Sequence, residues 1–418
     1  MNFIDRVWRR LRAERGTSQS AFPVVLLALG AFHLFVVLRS GYWPLSLDLT
    51  NGSGSPIGRD FLVFWTASSL ALQGNLAALY DPAAFQQAMM DVIPSGGGAP
   101  APWFYPPIFL LYVLPLASIP YLPSLFLWLA VPLGFLMWIL RRLMTVQLGV
   151  WPILLFPGIG QSLAFGQNGI LSAALLAGGF WALDRRPLLA GVVFGLLSYK
   201  PQLCVLLLLA LLIGGYWRVI LAMALTISVL GLATVALFGW ESWHMFRESL
   251  QLAGMILETR DKLWPLMVTV YASARLIGIE ATGAQVLQGI FALALLAATG
   301  VIWRMRVPLA LKGSAIIAAT PLTTPYALNY DLASMILPIA WLCGEGARQG
   351  WLKGERTVLA IAWTLPMWAW LLAAFTHLLL TPVVLLALFA IIFRRALRSG
   401  TMAPAGTPAA DLSQKPVD

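Results

Sequence analysis

The chain has 418 residues, 60% of them hydrophobic and only 11% charged, with a formal net charge of +10. Apolar runs of spanning or near-spanning length recur from Ala21 to Phe393, which excludes a soluble core of this size, and runs as continuous as Leu203 to Ile213 exclude a transmembrane barrel, whose strands alternate. The positive charge does not point to nucleic acid either, because the basic residues follow the ends of apolar runs as the positive-inside rule places them. What remains is an all-α, polytopic integral membrane protein.

In chain order, residues 1–20 carry Arg6, Arg9, Arg10, Arg12 and Arg15 and are expected in the cytoplasm. The run from Ala21 to Leu38 is too long for a signal-peptide core and lacks a small-residue cleavage site, so it reads as an uncleaved first span. Residues 39–105 form a large first extracytoplasmic loop. It holds Arg59 and Asp60, an amphipathic stretch (Phe61, Phe64, Trp65, Ser68, Leu72) and a short helix near Ala83 to Asp91, both patterned like helices lying in the interface plane. Pro106 to Pro120 is apolar but rich in proline and is predicted to be re-entrant or interfacial. Spans are predicted over 21–38, 121–140, 150–165, 170–183, 187–199, 202–215, 219–238, 284–303, 309–328, 331–343, 357–375 and 378–393, about twelve crossings with both termini cytoplasmic. A second large extracytoplasmic loop, 239–283, contains Trp243, His244, Arg247 and Glu248 and then a helix from Leu263 to Ile277. Residues 394–418 are expected to be a cytoplasmic tail, disordered in its Pro/Ala-rich part.

Basic clusters at Arg141–Arg142, Arg185–Arg186, Arg218, Arg304 and Arg306, Arg348 to Arg356 and Arg394 to Arg398 all fall inside on this topology. Of the 27 Lys and Arg, only Arg39, Arg59, Lys200, Arg247, Arg260, Lys262 and Arg275 fall outside. The polar motifs fall outside with them, so distant loops converge on one face. Cys204 and Cys343 sit in apolar runs, so neither a disulfide framework nor, with three scattered histidines, a metal site is expected.

Asp60 is the candidate for chemistry, since an acid beside an external cation in a chain this poor in charge is costly to keep. A bland reading competes, in which Asp60 caps the helix that follows it. Asp81 before Pro82 is better read as a cap than as catalytic, and Asp331 as either a site residue or the cap of the 331–343 span. Lys200 has a snorkelling alternative, Gln167 and Asn168 a plain-turn alternative, and the tryptophans an aromatic-belt alternative, with Trp65 and Trp103 set apart by their nearness to the motifs.

Taken together and in order, Gly58-Arg59-Asp60-Phe61, Phe64-Trp65, Leu79-Tyr80-Asp81-Pro82, Phe104-Tyr105-Pro106-Pro107, Gly166-Gln167-Asn168-Gly169, Lys200-Pro201-Gln202, Thr324-Pro325-Tyr326 and Tyr330-Asp331 resemble glycosyltransferase family 87, over residues 21–393. The resemblance implies a GT-C-type fold in the cell membrane of a bacterium (the inner membrane), with an extracytoplasmic site that moves a sugar, commonly mannose, from a polyprenyl phosphate carrier to a lipid or glycan acceptor. It implies Asp60 as the base and inversion at the anomeric carbon, with no cofactor or metal. Arg59, Lys200, Arg260 and Lys262 are the cations available to the lipid phosphate. Tyr105, Gln167, Asn168, Tyr330 and Asp331 complete the expected substrate-binding set; family mannosyltransferases often carry histidines where Tyr330 and Asp331 stand. The competing readings are a transporter or flippase of lipid-linked sugars and a non-catalytic envelope scaffold. Concentration of the polar groups in unequal external loops, rather than at the midplane of two repeated halves, favours the enzyme.

Overall fold

A computed structural model describes residues 21–46, 48–94, 102–143 and 151–400; the basic amino-terminal segment and the tail beyond Gly400 lie outside these. Among the described residues the chain is helical, with two isolated β-bridges and no strand. Five helices are long and apolar enough to cross a membrane: Pro23–Tyr42, Tyr121–Leu143, Trp217–Phe238, Ala281–Arg304 and Glu355–Thr376. They turn large apolar side chains outward, for example Val131, Leu221, Leu232 and Leu293, each 65–70% exposed, which is tolerable only against lipid. Shorter helices fill the interior. Gly169–Ala182 and Leu309–Thr323 are buried over nearly their whole lengths, and their small residues allow close packing: a Cβ on Gly179 would meet the Phe194 ring and one on Gly313 the Trp341 ring.

Several predicted boundaries move, each for a local reason. The first helix runs to Tyr42, so Arg39 is helical and the loop begins later. The 150–165 span is two pieces, Trp151–Leu154 and Pro157–Phe165, since Pro157 cannot donate to the carbonyl a turn behind it. The 309–328 span ends at Thr323, because Thr324 is driven extended by the proline after it. Residues 331–335 belong to a 3-10 turn, Asn329–Met335, and the helix expected there runs from Ile336 to Gln349 instead. The last helix, Thr381–Ser399, absorbs the start of the predicted tail; Arg395 is buried and held bidentately by Glu355, at 2.5 and 2.7 Å. In the second loop the sequence predicts one helix over 263–277, whereas a 3-10 turn (Asp261–Leu266) and a short helix (Val270–Leu276) form.

The first loop differs most from expectation. Phe61–Leu72 does not lie on a surface but is buried on most sides, with Ser68 Oγ donating to the Leu114 carbonyl (2.7 Å) and accepting from the Ala117 N–H (2.9 Å). Residues 106–120 form the short helix Pro107–Val113 and a 3-10 turn, packed inside the protein by Phe109, whose ring stacks on Tyr199 at 4.9 Å. Trp103 is fully buried and Trp65 donates to the Ile119 carbonyl (3.2 Å), so both pack rather than present a sugar platform.

Helix directions separate the molecule into two ends. Arg185 and Arg348 converge with Leu143 and Pro308 around one cavity, and Arg394 donates to the Lys353 carbonyl (2.8 Å), so the basic clusters share an end. Lys200, Asn168, Tyr326 and Asp331 sit at the other end of the same helices. On a Cys204→Ala, Cys343→Ala background, a cysteine at Ser53 in intact cells is expected to react with a membrane-impermeant maleimide and one at Lys353 to be protected. The reverse pattern would invert the topology.

Candidate active site

Three turns meet at the end remote from the basic clusters. The first carries Asp60. Gly58 and Arg59 have positive φ (70° and 40°), which folds the chain back so that the Ile57 carbonyl accepts from the Tyr121 hydroxyl (2.7 Å) and the Asp60 N–H donates to the Phe165 carbonyl (3.1 Å). The second turn is closed by Gly166 (φ 64°) at the carboxyl end of Pro157–Phe165, with its carbonyl accepting from Trp128 Nε1 at 3.1 Å. A Cβ on Gly166 would stand 2.7 Å from the Gly58 carbonyl oxygen and 2.6 Å from the Phe61 Cβ, so the two turns touch only because that position is glycine.

That contact delivers Gln167 to Asp60: Gln167 Nε2 donates to Asp60 Oδ2 at 2.8 Å. Asp60 makes no side-chain bond to the helix it precedes, so the capping reading is overturned for it; Asp81 does cap, accepting from the Ala84 N–H at 2.7 Å. Gln167 and Asn168 form no plain turn, because Asn168 Nδ2 donates to the Tyr105 hydroxyl at 2.9 Å. Burial pushes the Asp60 carboxyl up from the ordinary carboxylate range, and the Gln167 bond and the Arg59 charge pull it partly back. Arg59 itself lies over the Phe165 ring, 5.0 Å from its centre.

The third turn, Asn329–Met335, is pressed against the second: a Cβ on Gly169 would come within 2.1 Å of the Tyr330 carbonyl oxygen, which also accepts from Ser162 Oγ at 3.2 Å. Asp331 is not a helix cap of the kind expected. Its Oδ2 reaches back to the Leu328 N–H (3.0 Å) and its Oδ1 accepts from Lys200 Nζ (2.5 Å). Lys200 is 4% exposed, with its ammonium 5.1 Å from the Tyr330 ring centre, so it does not snorkel to a surface and its charge is already partnered. The phenols of Tyr326 and Tyr330 lie close enough to Asp60 and Asp331 to feel both charges, so the two carboxylates share the same pair of tyrosines.

Of the predicted residues, Asp60, Arg59, Tyr105, Gln167, Asn168, Lys200, Tyr330 and Asp331 are thus brought together. Tyr326 belongs with them, and its position between Thr324-Pro325 and Tyr330-Asp331 was the available signal. Lys262 is exposed and, among the described residues, nothing ties its side chain to this cluster. Arg260 and Lys262 share a connection that reaches the third turn through the backbone, where Met267 bridges Leu328 and the Val268 N–H donates to the Ala327 carbonyl (3.1 Å).

Residues 103–325 match the family model of glycosyltransferase family 87. The chain belongs to that family. No curated protein and no solved structure matches it. The matched stretch contains Tyr105, Gln167, Asn168 and Lys200 but stops short of both carboxylates, and each of these outlying acids is gripped by a residue inside it: Asp60 by Gln167, Asp331 by Lys200. The family 87 segment and the two flanking acids therefore meet in one polar cluster.

The glycine contacts give a test of this assembly. Gly169→Ala is expected to separate the second and third turns and lower transfer more than it lowers helix content, since alanine is otherwise the better helix former. Unchanged turnover would show that the two turns need not touch.

Proposed function

We propose that this family 87 enzyme has a GT-C-type architecture of about twelve crossings in the cell membrane, and that it transfers a sugar, mannose by resemblance, from a polyprenyl phosphate to a lipid or glycan acceptor on the extracytoplasmic face. The observation that carries this reading is the half-buried Asp60 carboxylate. It is spared from helix capping, is oriented by Gln167 and lies close enough to Tyr326 and Tyr330 for its charge to act on both phenols. In the proposed step the acceptor hydroxyl attacks the anomeric carbon while Asp60 takes its proton. The bond from that carbon to the carrier's phosphate oxygen breaks, and the electron pair leaves with the phosphate; attack from the opposite face inverts the centre. Proton removal by a positioned carboxylate contributes roughly 10² to 10⁴ in rate. Arg59, adjacent to the base, supplies charge for the leaving phosphate, and Lys200 fixes Asp331 at the far wall.

A lipid donor is supported by an apolar groove of about 520 Å³ between Leu38–Leu45 and Leu122–Leu133, floored by Ile57 and Leu163 and open sideways. Leu125, in its wall, also touches the Gly58 and Gly166 turns, so the groove ends behind Asp60. Filling it with Ala130→Trp is expected to raise the KM for a long-chain donor several-fold and to leave that for a short-chain analogue unchanged.

The test of the function itself is incubation of the purified protein in nanodiscs with radiolabelled polyprenyl phosphate mannose and a total lipid extract. Label in a new product is expected. Folded protein that moves no label from this donor, yet does so from another activated sugar, would overturn the donor assignment.

A further inference from the structure

A second polar constellation lies far from the carboxylates just described. At the basic end, a cavity of about 300 Å³ opens among the termini of Tyr121–Leu143, Gly169–Ala182, Leu309–Thr323 and Ile336–Gln349. The last three helices begin or end beside the candidate active site, so at about 1.5 Å per residue some 20 Å separate the two.

Each of two walls offers the cavity one acid and one base: Asp184 with Arg185, and Glu345 with Arg348. Among the described residues no ion pair crosses it. Glu345 pairs with Arg348 on its own helix, and Asp184 accepts from the Tyr216 hydroxyl at 3.3 Å. Behind Asp184 stands Lys312, 1% exposed, in none of the ion pairs of the described residues, close enough to feel the Asp184 charge and with its ammonium 5.9 Å from the Trp303 ring. Asp184, Arg185 and Arg348 are exposed to the open space while Glu345 and Lys312 are buried beside it, so charges of both signs are available there to a ligand that carries the complementary ones. The remaining wall is apolar and aromatic, including Trp181 and Trp341. The convergence of basic clusters at this end marks it as a membrane surface, the level of lipid headgroups.

We propose that this cavity holds a zwitterionic phospholipid headgroup with a primary amine. The phosphate lies toward Arg185 and Arg348, the ammonium toward Asp184 and Glu345, and the chains lie along the aromatic wall. A primary amine is specified because it donates hydrogen bonds to carboxylates, which a quaternary one cannot do. Free phosphoethanolamine shares the chemistry, so the test must separate lipid from soluble ligand.

Delipidated protein in detergent would be titrated with phosphatidylethanolamine, phosphatidylcholine, phosphatidylglycerol and free phosphoethanolamine, following melting temperature and bound lipid by native mass spectrometry. Phosphatidylethanolamine is expected to stabilise and remain bound at tenfold or lower concentration than the other three. Asp184→Asn and Arg185→Gln, at exposed positions, should fold as wild type without lipid and lose that preference. Equal binding of the three lipids, or undiminished preference in both variants, would overturn the proposal. Free phosphoethanolamine binding as tightly as the lipid would replace a lipid site by a soluble-ligand site.

Discussion

Asp60→Asn is expected to cut sugar transfer by at least about a hundredfold while the melting temperature stays at or above that of the wild type. The amide keeps the size of the side chain and an oxygen for Gln167 Nε2, so the turn is preserved. Stability should not fall, because the folded state raises the carboxyl's pKa. A group of this kind contributes stability below its unfolded pKa and loses it as pH rises through the folded value, so at neutral pH the buried charge is a cost that asparagine removes. By the same sign the acid limb of the pH–rate profile should lie above the ordinary carboxylate range. Gln167→Leu, which deletes the hydrogen bond opposing the shift, should move that limb further up. Donor binding and melting would be measured beside turnover. A folded Asn variant with near wild-type turnover would reject Asp60 as the base and make Asp331 the next carboxylate to test.

The second large effect concerns the Lys200–Asp331 pair. Lys200→Met leaves a carboxylate that is only 13% exposed without its counter-ion, and loss of one partner of such a buried pair costs about 3 to 5 kcal/mol. Both stability and transfer should therefore drop. Lys200→Met combined with Asp331→Asn should recover most of the stability and little of the transfer, because the pair is matched again but position 331 no longer presents a charge to Tyr326 and Tyr330. Lys353→Ala, at an exposed position on the opposite end, should change neither. A single Lys200→Met variant as stable as the wild type would mean the pair is not closed off from water, and would return Lys200 to a role at the membrane surface.

The class of fold was legible because continuous apolar runs and basic punctuation are one-dimensional signals, and the five long helices follow them closely. Polarity misled where it was satisfied internally. Phe61–Leu72 looked interfacial because of Thr66, Ser68 and Ser69, yet Ser68 spends its hydroxyl on the backbone of residues 114 and 117, which a sequence does not display. Prolines at 106, 107, 115 and 120 did signal a non-spanning segment, but not that it would be walled in by aromatics. The members of the site were found as motifs, whereas their partnerships were hidden, since Asp60 and Gln167 lie 107 positions apart and Lys200 and Asp331 lie 131 apart. Lys312 gave no sequence signal beyond lying in an apolar run, and Arg395, read as one of a basic cluster, gave no sign of its buried pairing with Glu355.

The hydrogen bonds from Trp128 to the Gly166 carbonyl and from Tyr121 to the Ile57 carbonyl hang the second and first turns from one helix, Tyr121–Leu143. Base and orienting amide are therefore carried by the same rigid rod. A tilt of that rod would move Asp60 and Gln167 as a pair and leave the distance between them unchanged, so the geometry of proton removal is insulated from small movements of the bundle around it.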